Sequence, residues 1–133
     1  MSLFGFSQTP TYITAYGTTT VFTIDLSTAS DGTLYYFQFL PHVERWSMQA
    51  DWTGVTGAGS LDLKQRNSSL STDANKWSNI VNDLEFTITG ASASDRVEGF
   101  EWLADYGAFY LDKGTLSAGT VVVTITIFDP KNY

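Results

Sequence analysis

Hydrophobic and polar residues alternate with a period of two over most of this chain, the spacing of strands that bury one face. The alternation is cleanest from Glu44 to Trp52. There Trp46, Met48, Ala50 and Trp52 share one face, and Arg45, Ser47, Gln49 and Asp51 the other. Leu61 and Leu63 alternate with Asp62 and Lys64, and Leu84, Phe86 and Ile88 alternate with Glu85 and Thr87. Later, Val121, Val123, Ile125 and Ile127 alternate with Val122, Thr124, Thr126 and Phe128. One side of that run is wholly apolar and the other mixed, the pattern of a central strand. Thr19 to Asp25 adds Val21 and Phe22 among threonines, a β-favouring composition.

Glycine-bearing pairs punctuate these runs: Asp31-Gly32, Thr53-Gly54, Thr56-Gly57, Gly59-Ser60, Lys113-Gly114 and Ala118-Gly119, with a polar stretch from Asn67 to Asn75. Short strands separated by such turns predict an all-β fold. The expectation is a single antiparallel β-sandwich over residues 1–133, jelly-roll or immunoglobulin-like, of about eight strands. The segment from Val97 to Leu103 is ambiguous. Val97, Phe100 and Leu103 fit a helical turn, while Phe100 and Trp102 alternate as a strand would. Trp46 and Trp52 are expected in the core, and Trp102, set among acidic residues, is expected as an exposed ring.

Composition narrows the classes. With 43% hydrophobic and 15% aromatic residues against 16% charged, the chain is of the folded kind rather than the disordered. Its 133 residues match one domain. The net charge is −7, and the Lys and Arg residues are scattered from Arg45 to Lys131 without forming a cationic stripe. That speaks against direct nucleic-acid binding and suits a partner with a basic patch. Cysteine is absent, which excludes disulfides and thiolate metal sites. MSLFGFSQTP does not read as a secretory signal, and no apolar run is long enough to cross a bilayer.

Catalytic chemistry is sparse. His42 is the one histidine, and within Leu40-Pro41-His42-Val43 it reads as a loop or strand-end side chain with a structural or solvent role. Asp95, Glu98, Glu101 and Asp105 crowd around Phe100 and Trp102 without the spacing of a calcium loop or a diagnostic glycosidase pair, and read as a solvated face. No nucleophile elbow, phosphate loop, dinucleotide fingerprint or zinc-protease motif occurs. The expectation is a chain without enzymatic activity, cofactor or metal.

Two blocks carry a resemblance. "MQADWTGVTGAGSLDLKQRNSS", followed shortly by Asp73 and "KWSNI", resembles a pattern in small virion proteins of tailed bacteriophages. In those proteins an aromatic-flanked strand leads to a W-x-G-x-x-G turn, an alternating strand and a loop closed by Trp. "YGAFYLDKGTLSAGTVVVTITI" is similar to that family's closing hairpin. The loop from Ser68 to Asn75 departs from the family pattern, being longer and free of glycine.

The resemblance implies a non-enzymatic structural virion protein, a capsid-decorating, head-fibre or tail-associated subunit. Made in the host cytoplasm and placed in the virion, it would contact other virion proteins and its own copies. Under this reading Trp52, Gly54, Gly57, Gly59 and Trp77 build a sandwich corner, with the glycines supplying special dihedrals. Residues 1–12, through Phe4 and Phe6, are a candidate docking segment, or else simply a first strand packed on its own domain. The alternative is a carbohydrate- or receptor-binding sandwich using Trp102, Tyr106 and nearby acids.

Overall fold

Each alternating run becomes a strand, and the strands pair into two packed sheets. The computed structural model describes residues 9–79 and 84–132. In chain order the strands are β1 (Thr11–Ile13), β2 (Gly17–Asp25), β3 (Leu34–Phe39), β4 (Arg45–Thr56), β5 (Gly59–Arg66), β6 (Ser78–Asn79), β7 (Glu85–Ile88), β8 (Ala93–Phe100), β9 (Tyr106–Asp112) and β10 (Ala118–Ile127). One sheet has the order β2-β10-β4-β8. The other has the order β1-β3-β9-β5, with β6 and β7 lying end to end along the far side of β5. Among the described residues, helix is confined to two three-residue 3-10 turns, so none is long and apolar enough to cross a membrane.

The strand identities follow from side-chain chemistry. β10 lies between β2 and β4, and its Val121, Val123, Ile125 and Ile127 are buried while the intervening residues are half-buried. A two-sided β-branched run suits that interior place. In β4, Trp46, Met48, Ala50 and Trp52 point into the core, as their alternation predicts. Val97 to Phe100 belongs to strand β8 rather than to a helix.

Two expectations are corrected. The pairing is not wholly antiparallel: β1 runs parallel to β3, with Thr11 opposite Phe37 and Ile13 opposite Phe39. The chain passes directly from β1 into β2, which belongs to the other sheet. β1 therefore has no hairpin partner and adds to the free edge of β3. Second, ten strands stand among the described residues where the alternation predicts about eight. β1 and β6, of three and two residues, are too short to show a period.

The core between the sheets is built on rings. Phe109 lies 5.5 Å from both Phe37 and Phe86 and 6.1 Å from Phe22, centroid to centroid. Phe37, Phe86 and Phe109 are fully buried. Gly107 leaves the space that the Phe37 ring occupies, since a Cβ there would overlap it.

Candidate functional site

The residues singled out from the sequence separate to opposite ends of the two sheets. At one end lie the glycines. Strand β4 does not stop at Trp52-Thr53-Gly54 but runs on to Thr56, so the expected turn there is instead a bulge. Thr53 pairs with Thr120 and Thr56 with Ala118, leaving Gly54 and Val55 opposite the single residue Gly119. Gly54 takes φ 64° and Gly57 φ 92°, values that favour glycine. Gly59 does not: it is needed for space, because a Cβ would press on the Asp112 carbonyl and the Leu116 side chain. The turn after β4 is bolted to the β9–β10 turn by Ala58 N–H donating to Thr115 Oγ1 (2.9 Å), Thr115 N–H to the Ala58 carbonyl (2.9 Å) and Ser117 N–H to the Thr56 carbonyl (3.1 Å).

Trp77 is not part of that corner. It sits beyond β5, where the loop after Arg66 folds back over the outer side of the second sheet. Trp77 stacks on Tyr36 at 5.8 Å, and the indole N–H of Trp77 (2.8 Å) and the hydroxyl of Tyr36 (3.2 Å) both donate to the Ser71 carbonyl. Arg66 donates to the Ser69 and Lys76 carbonyls, and Asn67 and Asp105 each accept from the other's loop. Trp52 is instead a core residue whose indole N–H donates to the Thr89 carbonyl at 3.2 Å.

Burial pushes the Tyr36 and Tyr35 hydroxyls above their usual value of 10. Their neutral forms favour the folded state, so stability is complete below pH 10 and declines as pH rises through the raised values. Denaturant midpoints measured from pH 9 to 11 should fall in the wild type, and the fall should be shallower in the Tyr35→Phe/Tyr36→Phe variant.

Trp102 is where the sequence reading fails. Its ring is 7% exposed, packed against Phe37 (5.5 Å), Phe39 (5.2 Å) and Trp46 (5.8 Å). The cause is Glu101, which adopts φ 52°, one of two non-glycine positive φ values among the described residues. That twist breaks the strand period. Phe100, still in the β8 alternation, faces outward at 78% exposed; after the twist Trp102 points inward and Leu103 outward at 78%. The turn is held by Glu101 N–H donating to the Glu44 carbonyl (2.6 Å) and Trp102 N–H to the Val43 carbonyl (3.0 Å).

The Trp102 indole N–H has no partner among the described residues. Trp102→Phe is therefore expected to cost only about 1 kcal/mol, against about 3–5 kcal/mol for Trp102→Ala. Urea unfolding of both variants checks this, and a Phe cost above about 2 kcal/mol would give the N–H a real partner.

Trp102 is thus unavailable as a stacking ring, and Tyr106, half-buried opposite Arg66, does not combine with it in a platform. Phe4 and Phe6 lie outside the described residues. Three of the four acids have structural partners: Asp95 accepts from the Thr87 and Arg96 N–H groups, Asp105 from the Ser68 N–H, and Glu98 pairs with Arg96 at 2.9 Å. His42 is an exposed side chain 3.8 Å from Glu44. No group of three or more His, Cys, Asp or Glu is placed to hold a metal among the described residues.

What the sequence reading missed is the surface at the Trp102 end. Phe100 and Leu103 are joined there by Leu40 (58% exposed) and Tyr16, whose hydroxyl donates to the His42 carbonyl. Two open hollows meet at Arg45. One of about 600 Å³ is lined by Tyr16, Thr126 and Phe128, and one of about 360 Å³ by Glu44, Phe100 and Glu101. The Arg45 guanidinium lies 5.0 Å from the centre of the Phe128 ring, a cation–π contact. The sequence carries no signal for this surface, because the register that sets Phe100 opposite Arg45 on the polar row of β4 exists only once the strands pair.

No protein-family model matches the chain, and no curated protein matches it.

Proposed function

We propose that this chain is a structural subunit of a tailed-bacteriophage virion, a jelly roll that works by contact with other virion proteins and with its own copies. The strand order carries this reading. Taking β6 and β7 as one interrupted strand, the eight strands after β1 are interleaved as two Greek keys, with the last strand inserted between the first and the third. That is jelly-roll order, an arrangement used by viral capsid and lectin domains, and it favours the jelly roll over the immunoglobulin-like alternative. Fold alone does not assign function. The resemblance supplies the rest: the two blocks that carry it, in β4–β5 and β9–β10, are the segments whose turns interlock at the glycine end. The role is non-enzymatic, and no cofactor enters it.

The test is particle proteomics on the phage whose genome encodes this chain. Density-purified particles should hold it at a fixed copy number. Its presence in the infected lysate and absence from such particles would overturn the reading. A glycan-binding role loses its main support with the burial of Trp102.

A further inference from the structure

We infer that the Trp102 end is a docking surface for a partner protein that presents apolar side chains flanked by lysine or arginine. This rests on the reading of the chain as a contact-making subunit and names the surface and the partner's chemistry.

Large exposed hydrophobics are not spread over the molecule. Among the described residues they are Tyr12, Tyr16, Leu40, Phe100 and Leu103. Four of them stand at this end, and Tyr12 is on the short strand leading to it. Scattered surface hydrophobics are ordinary, but four gathered at one end of a domain are not, with Phe100 over the hollow of Glu44 and Glu101 and Leu103 over another beside Gln65 and Arg66. Glu101 adds a separate indication. Its left-handed backbone costs on the order of 1 kcal/mol, and such strain concentrates where a surface has a task. Phe100 is outside by the alternation of β8, and the strained residue turns Leu103 outward as well while sending Trp102 in. Were β8 to continue without the twist, the alternation would place Trp102 beside Phe100 on the outside.

Charge selects the occupant. Glu44 and Glu101 line the hollow beside Phe100, and Asp129 lines the one beside Tyr16. The Glu101 carboxylate has no hydrogen-bond or ion-pair partner among the described residues. Arg45, the cation at the centre, is engaged by the Phe128 ring. Two copies meeting end to end would oppose these carboxylates within a chain already at −7. A partner carrying lysine or arginine around an apolar centre removes that repulsion, and gains association rate from the opposite charge. Phe100 and Leu103 would be its central anchors and the carboxylates its rim.

The experiment is an amide-shift titration of the isotope-labelled chain with two decapeptides, one alternating Lys and Leu, the other Glu and Leu. The Lys-Leu peptide should shift amides of Leu40 and residues 42–45, 100–103 and 126–129, and bind at least about tenfold more weakly to Phe100→Ser/Leu103→Ser and to Glu44→Gln/Glu101→Gln. The exposed positions leave the fold intact, which the unshifted remainder of the spectrum verifies. Three results would overturn the inference: shifts elsewhere, equal binding of the Glu-Leu peptide, or indifference to both double variants. Two others would reassign the surface. Self-association of the wild type abolished by Phe100→Ser/Leu103→Ser gives it to a second copy, and shifts at the same amides from a neutral hexasaccharide alone give it to carbohydrate. Absence of the chain from virions would sink the virion reading and leave this titration standing, so the two fail separately.

Discussion

Phe109→Ala is expected to destabilise the protein by about 4 kcal/mol, near the top of the range for a single core truncation. The ring is fully buried and meets Phe37, Phe86 and Phe22, which come from three other strands. Its removal forfeits the transfer energy of the side chain and opens a cavity bordered by stiff rings. Those rings cannot collapse inward, because Phe37 is held against the backbone of Gly107. Three ring pairs disappear with it, each adding on the order of 0.5–1.5 kcal/mol beyond area burial. Equilibrium urea unfolding provides the value. A loss under about 2 kcal/mol would mean that the core relaxes around the gap, and that the packing between the sheets is looser than described.

Gly57→Ala is expected to cost about 3 kcal/mol without emptying any core. The φ of 92° costs alanine on the order of 1 kcal/mol, and its Cβ would overlap the Thr115 carbonyl, where backbone rather than a flexible side chain must yield. Gly54→Ala separates the two terms. That glycine also has positive φ, but nothing lies within 4 Å of its notional Cβ, so only the dihedral cost of about 1 kcal/mol should appear. Thermal or urea unfolding of the pair distinguishes them, and equal losses would refute the argument from backbone overlap.

Legibility in the sequence followed locality. Alternation exposed β4, β5, β7 and β10, because a period of two depends only on neighbours along the chain. The two-sided pattern of β10 even announced its interior place. What stayed hidden depends on partners far away. The parallel addition of β1 to β3 leaves no mark on three residues. Gly54 reads as a turn from its type, yet β10 supplies the partner that makes it a bulge within one strand. The gravest loss was at Glu101. A single positive φ reverses the phase of the side chains that follow it, so Trp102 leaves the outer face it would share with Phe100 and turns into the core. The candidate surface was therefore sought on the buried ring and found on its neighbours.

The insertion of β10 between β2 and β4 constrains the order in which the molecule comes into being. Among the described residues β2 pairs with β10 alone, and Thr18 meets Thr126 across 108 residues. β2 and β4 do not pair with each other, so β2 finds its place in the sheet only when β10 is present. β4 has β8 beside it in the meantime, but joining β2 to the sheet closes a long loop before any contact rewards it. A topology so rich in distant pairings is expected to fold slowly for its size, and a chain lacking β10 would leave β2 without any ladder partner.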